Sequence, residues 1–173
     1  MSIDGEINNF REVYNQVFPV LIRIAFHITG DKTISEDLCQ EAFIKYHQRM
    51  IPFPDVDQAK YWLIRVVKNL ALNFEKRKNR ERKAYTRVLQ TSDRHEPSGE
   101  VEALKNETLV MVQQALRKLP YKLRSVLVLR EYGQLNYKEI AGILGISEGN
   151  VKVRIFRARD MLGRIIKENN YVP

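Results

Sequence analysis

The sequence predicts an all-α protein of two small helical bundles joined by a flexible linker. Apolar residues recur at intervals of three and four along most of the chain, and no stretch alternates between apolar and polar as a strand does. Residues 136–159 have the pattern of two helices joined by a tight turn. Residues 91–99 are polar and contain proline and glycine, which is typical of a linker between domains.

The chain is basic, which favours a polyanionic partner. Its 173 residues include 29 Lys and Arg against 21 Asp and Glu, a net charge of +8. Nucleic acid is the first expectation and a membrane surface the second. A basic protein without such a partner is the simpler alternative, and charge alone does not decide between them.

The sequence predicts no metal, cofactor or membrane segment. Its one cysteine, Cys39, excludes an intramolecular disulfide and indicates a reducing compartment. The histidines, His27, His47 and His95, have no ligand spacing. The N-terminus has no signal-peptide pattern, and the apolar run at residues 17–28 is too short to cross a bilayer. We therefore expect a cytoplasmic protein with no membrane insertion.

The first bundle is predicted to contain three helices. Residues 7–28 have the pattern of a helix with one apolar stripe, and Pro19 is expected either to kink this helix or to divide it in two. Thr33 and Glu36 have capping-box spacing and are expected to open a second helix that reaches about residue 50. One face of that helix is apolar, and the opposite face begins with Asp37, Gln40 and Glu41. Acidic residues at this place either complement the helix dipole or meet a partner.

A proline-braced loop, residues 51–57, separates the second helix from the third. Pro52 and Pro54 exclude helix on both sides of Phe53. A large aromatic residue on such a loop is either packed underneath as core or held outward for stacking, and the sequence leaves both alternatives open.

The third helix, predicted for residues 58–83, has two stripes. Its core stripe is Leu63, Val66, Val67, Leu70 and Phe74. The second stripe can stack on and hydrogen-bond unpaired bases, and it consists of Trp62, Arg65, Asn69, Asn73 and Lys76. The alternative is that Trp62 belongs to the core and the asparagines are only solvated. Residues 76–83 hold six cations against one anion, a density that attracts phosphates without sequence preference.

The second bundle is predicted for residues 100–173, with helices at 100–119 and 121–132 before the helix-turn-helix. Asn136 and Glu139 have capping-box spacing, Gly145 suits the turn, and Ser147 caps the last helix, which runs to about residue 167. That helix buries a stripe that starts with Val151. Its outward face consists of Lys152, Val153, Phe156 and Arg157, flanked by Arg154 and Arg159.

An outward valine and phenylalanine among cations favour a surface for the DNA major groove. Lys and Arg bind phosphates, and apolar atoms contact thymine methyl groups. The alternative is an ordinary amphipathic helix whose Phe156 packs on a neighbouring helix.

Three sequence blocks together resemble the extracytoplasmic-function (ECF) sigma factors, the two-domain specificity subunits of bacterial RNA polymerase. The first block is residues 36–45, EDLCQEAFIK, and the second is residues 61–71, YWLIRVVKNLA. The third includes LP at 119–120, LVLRE at 127–131, YKEIA at 137–141, GIS at 145–147 and VKVRIFRAR at 151–159. The blocks occur in family order and at family spacing, across nearly the whole chain except the linker.

The resemblance implies an alternative sigma factor that directs promoter recognition, −10 melting and initiation, without enzyme activity. Residues 1–84 correspond to the domain for core polymerase and the −10 element, 85–99 to the linker, and 100–173 to the −35 domain. The implied polymerase contacts are Asp37, Gln40, Glu41 and Phe43. By the same resemblance, the loop at residues 51–60 corresponds to the one that captures a flipped −10 base, and Phe53 and Asn69 correspond to positions that line its pocket. The implied −35 contacts are Lys152, Val153, Phe156 and Arg157, and Arg154 beside them is included.

The resemblance also implies an anti-sigma partner and a monomer when free. Val153 and the two prolines around Phe53 depart from the family pattern, so promoter specificity is not transferred; Cys39 and Asn150 depart without consequence. A stand-alone helix-turn-helix regulator is the main alternative, but it leaves the first two blocks without a purpose. A nuclease or transferase is the enzyme alternative, and the sequence has no carboxylate cluster or activated nucleophile for it.

Overall fold

Helices are the only regular secondary structure over the residues that the structure, a computed structural model, describes, which are 3–88 and 107–169. This confirms the all-α prediction, and no strand occurs in these two ranges. The helices are α1 (Ile3–Thr29), α2 (Lys32–His47), α3 (Val56–Val88), α4 (Glu107–Lys118), α5 (Tyr121–Glu131), α6 (Tyr137–Leu144) and α7 (Glu148–Glu168).

Helix α1 continues through Pro19 and is not divided. The proline side chain is exposed, while Val17 before it and Leu21 after it are buried in the same core. Burial on both sides of the proline holds the helix together, because most helical stability in proteins comes from packing of the apolar face. Helices α1, α2 and α3 pack against one another in pairs to form the first half.

The predicted capping box at the start of α2 is wrong. Gly30 turns the chain with a φ of +73°, and Asp31 is therefore already the N-cap, accepting a hydrogen bond from the Ile34 amide at 3.0 Å. Thr33 lies inside the helix. The helix also ends at His47, three residues before the expected end near residue 50.

Helix α3 is longer than predicted at both ends. Asp55 precedes it and accepts a hydrogen bond from the Gln58 amide at 2.8 Å, and the helix continues to Val88. The predicted linker thus begins inside α3; the rest of it, residues 89–99, and the first seven residues of the predicted helix 100–119 lie outside the described residues. Ile64 is fully buried, whereas the predicted core residue Phe74 is only half-buried.

The caps of the helix-turn-helix are confirmed. The Asn136 side chain accepts from the Glu139 amide at 2.9 Å, and the Glu139 carboxylate accepts from the Asn136 amide at 2.8 Å. Gly145 follows α6 with a φ of +66°, where glycine avoids the Cβ penalty. The Ser147 hydroxyl accepts from the Asn150 amide at 3.1 Å and starts α7. Helices α4 to α7 form the second half.

The two halves pack on each other and share one hydrophobic core, which the sequence did not predict. Helix α1 contacts α4 and α5, and α3 contacts α6. The shared core joins Ile24 and Ile64 of the first half to Leu129 and Ile140 of the second. Helix α5 lies at the centre, where residues 124–129 are buried without interruption.

Candidate nucleic-acid interface

The outward face of α7 is the most exposed apolar surface of the helix-turn-helix. Phe156 is 74% exposed and Val153 is 47% exposed, and Lys152 and Arg157 beside them are exposed as predicted. The alternative in which Phe156 packs on a neighbouring helix is therefore wrong. The buried face of the same helix holds Val151, Ile155 and Ala158, so packing fixes which side chains point outward.

Two arginines beside this face already have partners within the chain. Arg154 is half-buried, and its Nε donates to the Asn150 side chain at 3.0 Å. Arg159 forms an ion pair of 2.6 Å with Glu131 on α5, and this hydrogen bond raises the pKa of its guanidinium. Arg154 is thus less available to a ligand than Lys152 or Arg157, which leaves two cations and two apolar side chains for direct contact.

A cluster of three aromatic side chains lies where α2, the proline-braced loop and α3 meet. We call Tyr46, Phe53 and Trp62 the aromatic cluster. The Phe53 ring is parallel to the Tyr46 ring, with centroids 5.9 Å apart, and lies 5.8 Å from the Trp62 ring. Phe53 and Trp62 are both half-buried: each packs on the core and is still partly accessible to solvent. Neither residue is therefore wholly part of the core or wholly held outward.

The remaining members of the predicted base-binding stripe differ in their surroundings. Asn69, Asn73 and Lys76 are exposed along α3. Arg65 is exposed too, but its Nη2 donates to the Gly142 carbonyl of α6 at 2.9 Å. The stripe is therefore open to solvent at its C-terminal end, and α6 lies against it at Arg65.

The end of α3 is strongly cationic. Among residues 76–83, the one ion pair is between Arg77 and Glu81 at 3.9 Å, and both side chains are largely exposed. Exposed pairs of this kind contribute little to stability. The other cations of this stretch have no carboxylate partner in the described part of the chain, so they form a positive surface beside the stripe whose charge is not compensated by acidic side chains.

Arg49 belongs to the site, although sequence reasoning missed it. Its guanidinium carbon lies 4.2 Å from the centroid of the Phe53 ring and 5.0 Å from that of Trp62. It therefore covers the accessible side of the aromatic cluster. A cation close in sequence to an aromatic residue between two prolines was the available signal, because arginine stacks readily on aromatic rings.

The predicted polymerase-binding residues do not all lie on the surface. Asp37, Gln40 and Glu41 are exposed on α2, and Glu41 pairs with Lys45 at 3.5 Å. Phe43 is only 4% exposed. The prediction of Phe43 as a direct contact is therefore wrong for this conformation; its ring packs among those of Phe10, Tyr14, Phe18 and Tyr46 and supports the helix from inside.

Three exposed apolar side chains accompany this α2 surface and were also missed. Ile44 is 57% exposed on the helix, and Met50 and Ile51 after its end are 96% and 71% exposed. Large apolar side chains exposed on and just after one helix favour an interaction surface. The signal in the sequence was Ile44 on the polar face that starts with Gln40 and Glu41.

Several hydrogen bonds join the two halves at the edge of the predicted base-binding stripe. The Tyr61 hydroxyl donates to the Glu139 carboxylate at 2.5 Å, and this bond raises the pKa of Tyr61 to about 12. The Tyr121 hydroxyl donates to the Lys68 carbonyl at 2.9 Å. Arg124 and Glu75 form a buried ion pair at 3.1 Å.

The described residues contain no group of three or more side chains able to hold a metal ion. Cys39 is buried, and burial raises the pKa of its thiol to about 12, so it is a poor nucleophile. Over the same ranges, no helix has the length and apolarity needed to cross a membrane.

Two family models match the chain, one in each half. The model described as Sigma-70 region 2 matches residues 13–81, and the model described as Sigma-70, region 4 matches residues 109–162. The first match includes the aromatic cluster and the α3 stripe, and the second includes the helix-turn-helix.

Curated relatives and solved structures agree with these matches. The chain is 33% identical to the ECF RNA polymerase sigma-E factor of Escherichia coli K12 over 73% of this chain and 70% of that protein. It is 32% identical to the RNA polymerase sigma-H factor of Pseudomonas aeruginosa over 85% of this chain and 80% of that one. The fold is similar to that of the sigma factor RpoE, solved in complex with the anti-sigma factor NepR from Bartonella quintana, with a TM-score of 0.66, 24% identity and coverage of 91% and 96%.

Proposed function

The chain belongs to the extracytoplasmic-function family of RNA polymerase sigma factors, and we propose specific residues of its two halves for promoter recognition. As an alternative sigma factor it binds core polymerase and directs transcription initiation. The observation that carries the residue assignment is the pair of exposed surfaces, one on α3 with the aromatic cluster and one on α7. Both lie in chain segments that match sigma-70 region models.

The α7 surface is proposed to read the −35 element in the major groove. Lys152 and Arg157 bind phosphate or base edges, and Val153 and Phe156 contact thymine methyl groups. Ser147 at the N-cap and the partial positive charge of the helix terminus add to the attraction for DNA phosphate. Arg154 has a secondary part, because its Nε is already bonded to Asn150.

The α3 surface is proposed to hold the unpaired −10 strand. One base stacks at the aromatic cluster near Phe53 and Trp62, and Asn69 hydrogen-bonds its edge. Asn73 and Lys76 continue along the strand toward the cationic end of α3, which attracts the phosphates. Extruding a base costs a few kcal/mol, and stacking at about 1–3 kcal/mol per base offsets that cost.

The polar and apolar surface of α2 is proposed to dock on core polymerase. Asp37, Gln40 and Glu41 supply hydrogen bonds and charge, and Ile44 supplies apolar area beside them. Phe43 acts from inside, by holding α2 on the core. We expect this protein to work in the cytoplasm with polymerase, to act without catalysis of its own, and to be held by an anti-sigma partner when idle.

Promoter binding requires the two halves to separate. The −35 and −10 elements are about 25 base pairs apart by their names, which is about 85 Å of duplex at 3.4 Å per step. The longest described helix, α3 with 33 residues, is only about 50 Å long, and α6 of the helix-turn-helix contacts it directly at Arg65. The closed arrangement therefore cannot reach both elements, and Arg65 becomes available to DNA only after opening.

Transcription with purified core polymerase tests the function. Fragmented genomic DNA from the source organism is transcribed with core alone and with core plus this chain, and RNA 5′ ends are sequenced. We expect new start sites that share two upstream sequence elements at fixed spacing. Tight duplex binding without core affinity, and no new start sites, would instead favour a stand-alone helix-turn-helix regulator.

A further inference from the structure

Arg49 covers the accessible side of the aromatic cluster without a charged partner. None of the ion pairs among the described residues includes it. To the described part of the chain, its side chain makes one hydrogen bond, a long one of 3.4 Å from Nε to the Ile51 carbonyl. Arg49 is therefore held over the Phe53 and Trp62 rings mainly by stacking. It occupies the place where the proposed function would put an unpaired base.

The two sides of this site differ in rigidity. Phe53 lies between Pro52 and Pro54, whose rings restrict the backbone on both sides, and its ring is parallel to that of Tyr46. Arg49 lies just beyond the end of α2, where its amide donates to the Tyr46 carbonyl at 3.2 Å. Its backbone is thus anchored, while its long side chain is exposed and held only by the ring contacts and one long hydrogen bond. The site has a fixed aromatic wall and a movable planar cation.

We propose that Arg49 closes over the captured −10 base, so that the base lies between the Phe53 ring and the Arg49 guanidinium. This inference rests on the proposed function of the α3 surface. The guanidinium moves outward by about 3.4 Å, the thickness of one stacked base, and then stacks on the outer face of the base. Arginine is suited to this role because its planar guanidinium stacks on aromatic faces, as the compact ammonium of lysine does not.

Arg49 thereby helps to select the flipped state of the base. With no base present, the guanidinium keeps water from the faces of Phe53 and Trp62. With a base present, it contributes a second stacking surface and a positive charge beside the strand. A lysine at the same place keeps the charge and loses the second surface, which makes the substitution informative.

The test compares Arg49→Lys, Arg49→Ala and the wild type in reconstituted holoenzyme. The probe is a fork-junction DNA from a promoter on which the wild type initiates, in two versions that differ only at the flipped −10 position: an intact base or an abasic site. Arg11→Lys, which changes an exposed arginine on α1, is the matched control and should bind both versions as the wild type does.

We expect Arg49→Lys to bind the intact DNA about 5-fold or more weakly, the lower end of a lost stacking contact, and to bind the abasic DNA within about 2-fold of wild type. Arg49→Ala should lose at least as much on the intact DNA. Wild-type affinity of Arg49→Lys for both versions would overturn the proposal, since charge alone would then suffice. Tighter binding by Arg49→Ala would overturn it as well, because Arg49 would then compete with the base.

The wild type itself separates this inference from the proposed function. If the wild-type holoenzyme binds intact and abasic DNA equally, no base is captured at the aromatic cluster, and both fail. If it prefers the intact DNA and Arg49→Lys keeps the full preference, the pocket stands and only the role of Arg49 is rejected.

Discussion

The hydroxyl of Tyr61 on α3 donates a hydrogen bond to the carboxylate of Glu139 on α6, across the boundary between the two halves of the chain. Glu139 is also half of the capping box that starts the helix-turn-helix. Although burial opposes it, the bonds from Tyr61 and from the Asn136 amide hold the pKa of this carboxyl below its usual value. One carboxylate therefore both caps α6 and fixes it to α3 of the first half.

Loss of this bond should open the free protein. Tyr61→Phe removes only the hydroxyl, and a hydrogen bond is worth about 1 kcal/mol, so the open fraction should rise about 5-fold. Small-angle X-ray scattering measures the result, against a radius of gyration of about 16 Å for a compact chain of this length. The matched control is Tyr85→Phe, at an exposed tyrosine farther along α3. The double variant Tyr61→Phe with Arg65→Ala should open further. Unchanged scattering from the single and the double variant would show that these two hydrogen bonds do not hold the halves together.

The buried ion pair between Glu75 and Arg124 should be sensitive to loss of one partner. Within residues 3–88 and 107–169, the Glu75 Oε1 and Arg124 Nε atoms have no hydrogen-bond partner, so the pair compensates its burial only in part. Glu75→Gln should cost about 3 kcal/mol of unfolding free energy, because it leaves the guanidinium buried without a counter-charge. Urea unfolding measures this.

Two further variants interpret that result. Replacing both partners, as Glu75→Leu with Arg124→Met, should be nearly neutral, since no buried charge remains. Glu81→Gln, in the exposed pair with Arg77, should change stability by less than about 0.5 kcal/mol. Equal effects of Glu75→Gln and Glu81→Gln would mean that Arg124 is solvated and the halves are apart in solution.

His27 should make the closed arrangement sensitive to acid. Its ring stacks on Tyr132 of α5 with centroids 3.5 Å apart, and its Nδ1 lies 2.8 Å from the Gln113 side chain of α4. Burial lowers its pKa below 6.5, and Arg23 adds to this, although the Gln113 bond opposes it. The unfolded chain therefore binds the proton more readily, and stability should fall as pH decreases through about 6.5.

Thermal unfolding between pH 7.5 and 5.5 measures this dependence. His27→Gln should flatten the part of the curve near pH 6.5. His47→Gln, at an exposed histidine, should keep the wild-type slope. The assignment fails if the two variants have the same slope.

The α7 surface should lose −35 affinity on truncation of its outward residues. Arg157→Ala, Lys152→Ala and Phe156→Ala should each raise the Kd of holoenzyme for −35 duplex by about 5-fold or more, because a base contact is worth about 1–3 kcal/mol. Fluorescence anisotropy with labelled duplex measures it. The control is Lys118→Ala on α4, which removes the same charge from a residue that is hydrogen-bonded to Asn169. This variant should bind the duplex as the wild type does. An equal loss of affinity in it would mean that only the net charge of the protein matters.

Local patterns predicted the helix-turn-helix almost residue by residue, because its signals are local. Asn136, Glu139, Gly145 and Ser147 act within one helical turn of their own positions, and all four have the predicted roles. The Thr33 capping box failed by the same logic. Gly30 and Asp31 are a competing local signal two residues before Thr33. Asp31 directly follows the turn at Gly30, and it is therefore the N-cap of α2.

The contact between the halves could not be predicted from periodicity, because a stripe does not say which helix will cover it. One signal was present. Residues 126–129 of α5 are four consecutive apolar residues, and on a helix they face every direction. Such a helix has to be covered on all sides, and α1 covers the side that the second half leaves open. Likewise, the side-chain conformation that places Arg49 over Phe53 and Trp62 is not specified by sequence spacing.

Permanganate footprinting of open complexes tests the central claim most directly, since it detects unpaired thymines in the −10 region. The comparison is between wild-type holoenzyme and Asn69→Ala on the same promoter, with DNase protection of the −35 region recorded in parallel. We expect Asn69→Ala to keep the −35 protection and to lose most −10 thymine reactivity. Wild-type thymine reactivity with Asn69→Ala would contradict the proposal that α3 binds the −10 strand. Loss of −35 protection together with the −10 reactivity would contradict the proposal that α3 binds −10 DNA separately from α7.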